Sequence, residues 1–378
     1  MTLFKSIFST ILSFITLIEI AIGSPITGSN FKIVVPPAVY ESGDNMYTVI
    51  WTTNKRGSGS VSYTYEGKEY VANDQIGGNI RCLDTIHSVR VPKEHLDNNT
   101  YTVSSQYVPY KGGYQAIKGK TVTSEPIHFR GYNNQESVKA LVLSDIHENM
   151  TPVRKAISAF DETPDLIILN GDIVSTIETK EKISWIFECA SEVSGGEIPV
   201  VYARGNHEPR GEYASEMMSY FKTSTGNLYF TFNYGPVWSI VLDCGEDKPD
   251  NHGEYSGLVD FTAYIAEETK WLEKLDPDTS EETIYRLGIS HNPEFEDEYG
   301  NDWTSALEKQ NLDLLIAGHW HCLNLNFKEG TTSFERWITG GKSNNGFIAS
   351  MITFGNGKIK ILSKDDEGNI SGKKEIIL

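Results

Sequence analysis

Five short segments of the sequence gather residue types that bind metals. They are Ser144-Asp145-Ile146-His147, Asn170-Gly171-Asp172, Arg204-Gly205-Asn206-His207-Glu208, Ser290-His291-Asn292-Pro293 and Gly318-His319-Trp320-His321. Carboxylate, imidazole and amide oxygen are borderline-hard ligands suited to zinc, iron or manganese. Asp145, His147, Asp172, Asn206, His291, His319 and His321 are too many for one tetrahedral ion. They suit two ions that share a bridging carboxylate. Two ions about 3.5–4 Å apart can activate a water and clamp the oxygens of an in-line displacement, chemistry that fits ester hydrolysis at phosphorus. Each segment alone has an ordinary reading. Asp-x-His is a common surface turn, Asn-Gly-Asp is a turn signal, a single His291 before Pro293 is a capping or core histidine, and Gly-Asn-His-Glu is a helix-entry loop. The argument rests on their joint occurrence.

The elements that must position these residues follow from hydrophobic patterning. Apolar runs at 138–143, 165–169, 198–203, 284–289 and 312–317 predict strands, and each runs directly into one of the five segments. Stretches 151–160, 179–192, 213–221, 260–274 and 302–310 predict helices, and 228–232 with 237–242 predict a hairpin. Continuous apolar strands alternating with helices indicate a buried sheet with helices outside it. In such sheets ligands bind beyond the carboxyl ends of the strands, where distant loops converge. Residues 31–129 differ. Short runs at 31–35, 47–51, 61–65, 87–91, 101–105 and 127–129 are rich in β-branched and aromatic residues and are separated by Gly, Asn, Asp and Pro, which predicts a β-sandwich around Trp51. The chain is therefore divided into 1–23, 24–132 and 133–378.

Residues 1–23 read as a signal peptide. An uncharged apolar run follows Lys5, and Ala21-Ile22-Gly23 supplies the small residues of a cleavage site. The run is short for a membrane span and is interrupted by Glu19. A secreted or secretory-pathway protein with no membrane span after cleavage is expected. Asn98-Asn99-Thr100, Asn149-Met150-Thr151 and Asn369-Ile370-Ser371 are glycosylation sequons. Cys82, Cys189, Cys244 and Cys322 match no zinc spacing, and one disulfide or none is expected among them. The 378 residues carry a net charge of −18. Residues 24–132 hold 11 Lys and Arg against 9 Asp and Glu, so the acidity lies in 133–378. Such a surface repels a phosphate backbone, which argues against a nuclease and for a small phosphorylated substrate. Oligomeric state is not encoded in these patterns.

The ordered set Asp145-x-His147, Gly171-Asp172, Gly205-Asn206-His207-Glu208, His291 and Gly318-His319-x-His321 resembles the calcineurin-like metallophosphoesterase superfamily. The resemblance implies a four-layer α/β sandwich, two mixed sheets flanked by helices, here preceded by an all-β immunoglobulin-like or fibronectin-III-like sandwich. It implies that Asp145, His147 and His321 bind one metal, that Asn206, His291 and His319 bind a second, and that Asp172 bridges them. His207 is then the catalytic histidine that contacts phosphate and protonates the leaving oxygen, and Glu208 orients its neighbours. A metal-bound hydroxide is expected to attack a phosphate monoester. Asn206 and His207 are candidate substrate contacts; Arg204 and Arg210, which flank the third segment, read as phosphate contacts or as salt bridges within the acidic region, and His252 as a loop residue at the substrate mouth or a surface histidine. Trp51-Thr52-Thr53, 87–91, 96–101 and 124–129 resemble the domain that precedes purple acid phosphatases, which makes the enzyme acid phosphatase-like. That group has a tyrosine three residues after the bridging aspartate, where this chain has Ser175, so a non-purple relative is expected. The alternatives are a phosphodiesterase on nucleotides or lipids and, from another class, a catalytically idle secreted binding module.

Overall fold

The computed structural model describes residues 27–295, 302–324, 332–343 and 346–378. The signal segment expected over 1–23 lies outside the described residues. The N-terminal part consists of β1 (Ile33–Glu41), β2 (Met46–Tyr65), β3 (Lys68–Asn73), β4 (Asp84–Pro92), β5 (Asn99–Tyr107), β6 (Thr121–Thr123) and β7 (Ile127–Phe129). The remainder runs β8 (Ser137–Leu143), α1 (Met150–Ser158), β9 (Leu166–Asn170), α2 (Lys180–Ser194), β10 (Pro199–Ala203), β11 (Phe230–Tyr234), β12 (Val237–Val241), α3 (Phe261–Lys274), β13 (Tyr285–Ile289), α4 (Thr304–Lys309), β14 (Leu314–Ala317), β15 (Glu335–Ile338), β16 (Gly346–Gly355), β17 (Lys358–Asp365) and β18 (Ile370–Ile377). Single helical turns and two-residue ribbons make up the other elements of the described residues.

Side-chain alternation along the strands builds the layers. In β8, Val138, Ala140 and Val142 face the second sheet, whereas Leu141 and Leu143 pack with Val153 and Ala156 of α1 and Ile183 and Phe187 of α2. In β14, Leu314 and Ile316 join the same inter-sheet core, whereas Leu315 and Ala317 pack with Ile265, Leu272 and Leu307 of α3 and α4. The order is helices, sheet, sheet, helices. The first sheet is mixed: β9 runs parallel to β8 and β10, and β16 is antiparallel to β8. The second has the order β11-β12-β13-β14-β15 and is parallel apart from the β11–β12 hairpin.

Two sequence expectations change. Residues 213–221 form one helical turn, Ala214–Met217, instead of a helix. The Tyr220 carbonyl accepts from Ser88 Oγ at 2.6 Å and the Ser224 N–H donates to the Ser42 carbonyl, so the N-terminal strands take up backbone groups a helix would have paired. Residues 47–51 and 61–65 belong to one 20-residue strand, β2, whose first half pairs with β1 and β4 and whose second half pairs with β3 and β5. Trp51 is fully buried in the core between these strands, and its Nε1–H donates to Ser105 Oγ at 2.8 Å.

The hydrogen-bonding does not stop near residue 133. β1 runs parallel to β10 through Val39↔Pro199 and Tyr40↔Val200, which makes the N-terminal strands part of a 14-stranded sheet. Val35, Ala38, Tyr40, Ile50 and Ile86 share one core with α2.

Candidate metal centre

Every expected ligand follows the carboxyl end of a strand. Asp145 and His147 follow β8, Asp172 follows β9, Asn206 follows β10, His291 follows β13, and His319 and His321 follow β14. The backbone there is bent out of its ordinary range. Asp145, His147, Asp172, His319 and His321 have φ values of 54, 44, 52, 67 and 49°. Left-handed backbone at a non-glycine residue costs on the order of 1–3 kcal/mol and persists only where its surroundings impose it. Here the loops hold one another: Asp145 N–H donates to the Gly171 carbonyl and His147 N–H to the Asp172 carbonyl, both at 3.0 Å. Gly171 and Gly205 permit this approach. A Cβ on Gly171 would lie 2.4 Å from His291 Nδ1, and one on Gly205 would lie 2.2 Å from Asp172 Oδ1.

Two groups result. Asp145, His147, Asp172 and His321 place ligand atoms within 4.8 Å of one another, and so do Asp172, His291 and His319. Asp172 belongs to both. Its Oδ2 lies 3.3 Å from His291 Nε2 and 3.8 Å from His147 Nε2. His321 Nε2 lies 3.3 Å from Asp145 Oδ1. The Asn206 amide oxygen faces His319 Nδ1 at 3.0 Å and Asp172 Oδ2 at 3.3 Å. In a site without a cation, turning that amide over would pair it better. Oxygens and ring nitrogens converging on one point is the arrangement a cation satisfies.

The buried atoms fit a metal in the same way. Asp145 Oδ1 and His291 Nε2 are buried without a hydrogen-bond partner. His291 Nδ1–H donates to the Asn170 carbonyl at 2.7 Å, which leaves Nε2 as the ligand nitrogen. Burial opposes charge on His291, yet Asp172 and Asp145 raise its pKa to about 10, so the pocket attracts positive charge. Burial pushes His147 and His319 down to about 4, toward the neutral form that ligation requires. Glu208, fully buried, accepts from the N–H groups of Gly205, Asp172 and Ile173 at 2.9, 3.1 and 2.7 Å. Burial raises its pKa to about 7, and it ties the β9 and β10 loops together.

His207 stands at the rim with 28% of its side chain exposed. Its Nδ1–H donates to the Ser175 carbonyl at 2.9 Å, and its Nε2 lies 3.8 Å from Asp172 Oδ2. The ring turns toward the centre from outside the ligand set.

Residues 138–323 match the model of the family described as calcineurin-like phosphoesterase. The chain contains a calcineurin-like phosphoesterase domain. The solved structure of PhoD aligns over 90% of this chain and 91% of its own at 11% identity and a TM-score of 0.50, a likeness of fold that reaches beyond residues 138–323. The phosphopantetheinyl hydrolase PptH of Mycobacterium tuberculosis covers 55% of this chain and 90% of its own at 14% identity and a TM-score of 0.34. Vacuolar Protein Sorting 29 of Cryptosporidium parvum covers 65% and 100% at 10% identity and a TM-score of 0.32. No curated protein sequence matches the chain.

The substrate side of the phosphoesterase domain corrects one expectation. Arg204 does not face the centre. It is buried, with Nε and Nη2 on Asp243 at 3.0 and 2.9 Å and its guanidinium over the Phe261 and Tyr264 rings. An arginine just ahead of Gly-Asn-His looks like a phosphate contact in sequence, but the buried Asp243 and two aromatic faces capture it. His252 lies exposed on the 249–257 loop. All four cysteines are unpaired.

Four residues around the ligands escaped the sequence reading. Glu148 accepts from Ser175 Oγ at 2.8 Å and pairs with Lys182, and Ser175 Oγ lies 3.5 Å from His147 Nδ1. Glu246 accepts from Asn206 Nδ2 at 3.5 Å, and Asp247 Oδ2 lies 3.9 Å from His319 Nε2. Glu246 and Asp247 follow β12 as the other segments follow their strands. They carry no histidine, so no metal motif pointed to them.

Proposed function

We propose that this protein is a secreted dinuclear phosphoesterase that hydrolyses phosphate monoesters. The observation that carries the reading is the single buried carboxylate, Asp172, common to two groups of ligand atoms. Two zinc, iron or manganese ions held there would supply Lewis acidity and an activated water. Asp145, His147 and His321 would hold one ion, and Asn206, His291 and His319 the other. In hydrolysis an oxygen from water joins phosphorus, the P–O ester bond breaks, and the departing oxygen takes a proton. His207 Nε2 faces the centre from the rim, and its Nδ1–H bond to Ser175 fixes the ring for that transfer. The acidic 133–378 region favours a small substrate over nucleic acid. Export after cleavage near Gly23 and a fibronectin-III-like role for 24–132 are part of the proposal.

Metal analysis combined with hydrolysis of an aryl phosphate monoester and the matched diester tests it. The wild type is expected to carry about two ions per chain and to prefer the monoester. Asp172→Ala is expected to lose both ions. Two ions retained in that variant would end the bridging assignment, and a diester preference would move the substrate class to phosphodiesters.

A further inference from the structure

Arg210 occupies the place beside the centre that Arg204 leaves empty. Its guanidinium is held on one side only. Nε and Nη2 donate to the two oxygens of Glu246 at 2.7 and 2.8 Å, and Nη2 lies 3.4 Å from Asp247 Oδ1. The Glu246 side chain is fully buried, so this fork is built into the protein instead of lying loose on its surface. The remaining nitrogen, Nη1, points to His207, 3.4 Å from Nε2 and 3.5 Å from Nδ1. Arg210 keeps 20% of its side chain exposed, next to the rim histidine and on the same side of the centre.

This contact is long and off the ideal for a hydrogen bond. It joins a guanidinium to the imidazole nitrogen that faces the reacting centre. A phosphate oxygen entering between them could accept from both. Glu246 Oε1 also lies 3.5 Å from the Asn206 amide, and Arg210 Nη2 lies 3.0 Å from the same amide atom, so the buried carboxylate, the guanidinium and a ligand side chain form one cluster. We infer that Arg210, held by Glu246, is a substrate contact that recognises the dianionic terminal phosphate of a monoester. The inference rests on the phosphoesterase reading and names the residue that gives that site its substrate class. A monoester presents two charges and three terminal oxygens to a guanidinium, whereas a diester presents one charge and two.

The test compares Arg210→Met and Arg210→Lys with wild type on an aryl phosphate monoester and diester sharing one leaving group. Inorganic phosphate serves as a competitive inhibitor, and metal content is measured for each protein. A lost hydrogen bond to a charged group is worth roughly a 10- to 100-fold effect. Arg210→Met is expected to lose about that factor in kcat/KM on the monoester, to lose less on the diester, and to raise the inhibition constant for phosphate in parallel, with metal content unchanged. Arg210→Lys keeps the charge without the fork and is expected to fall between the two. Unchanged phosphate inhibition, an equal loss on both esters, or loss of metal in Arg210→Met would each overturn the inference. Absence of metal and of ester hydrolysis in the wild type would overturn the phosphoesterase reading itself, a distinguishable result.

Discussion

At the scale of single residues, most of the candidate site was legible because metal ligation leaves few choices of side chain. Asp145, Asp172, Asn206, His147, His291, His319 and His321 carry groups that suit such a centre, and each sits just after a strand. Arg204 was left open between a phosphate contact and a salt bridge because sequence gives proximity to a motif but not the direction of a side chain, and Asp243 is 39 positions away. His207 is the sharpest test at this scale. Its neighbour Asn206 turns to the centre while its own ring is fixed by Ser175. His207→Asn is expected to keep both metals while turnover falls by roughly 10²–10⁴-fold. The loss should be largest for esters with poor leaving groups, since acidic ones need little protonation. Equal losses across a leaving-group series would pass the role to another residue. Ser175 makes a second prediction. It sits at the first ligand group, its hydroxyl 3.5 Å from His147 Nδ1 and bonded to Glu148, and it offers no phenolate. Metal-loaded protein is expected to lack an intense visible charge-transfer band, and an absorption spectrum in exchangeable buffers decides it.

At the scale of elements, the five strands that feed the centre were read within a residue or two, because burial on both faces writes an unbroken apolar run such as Leu166-Ile167-Ile168-Leu169. The strands β16–β18 were not foreseen. Buried Ile359, Ile361 and Ser363 alternate with Lys360, Leu362 and Lys364 in β17, a two-residue period hidden among charges. The metal spacing depends on how closely the β9 and β10 loops approach, and that depends on glycine. A Cβ at Gly205 would meet Asp172 Oδ1 at 2.2 Å and Asp172 N at 2.4 Å, backbone that Glu208 already holds. Gly205→Ala is therefore expected to retain the overall secondary structure by circular dichroism and to bind metal at least tenfold more weakly, since displacing a ligand-loop support typically costs about 10- to 100-fold in affinity. Wild-type affinity in that variant would mean the loops have room the packing does not show.

At the scale of the whole molecule, the composition change near residue 133 marks a change of architecture and charge, but not a gap in the structure. Strand pairing is non-local, so the alternation in β1 reads the same whether its far edge meets solvent or β10. The join has many parts. Lys93 Nζ bonds Glu41 at 2.7 Å and the Asn233 carbonyl at 2.8 Å, Lys180 pairs with Asp84, and Lys222 pairs with Asp74. Tyr101 Oη–H donates to the Gly196 carbonyl at 2.9 Å, and Tyr40 packs edge-on against Phe187 and Phe221. Removing 24–132 would strip β10 of its neighbour and bare the apolar side of α2, which offers an unpaired edge and an exposed core face. A chain of 133–378 is accordingly expected to be insoluble or to lack a cooperative transition, whereas the protein from 24 onward is expected to unfold in one transition seen alike by intrinsic fluorescence and by loss of metal. Two separated transitions in denaturant, or a soluble, metal-binding 133–378 fragment, would show that the shared sheet contributes little and that the two parts fold alone. If the single transition is found, the N-terminal strands support the centre directly, because β10 carries Asn206 and His207 at its end and β1 is its neighbour on the side away from β9.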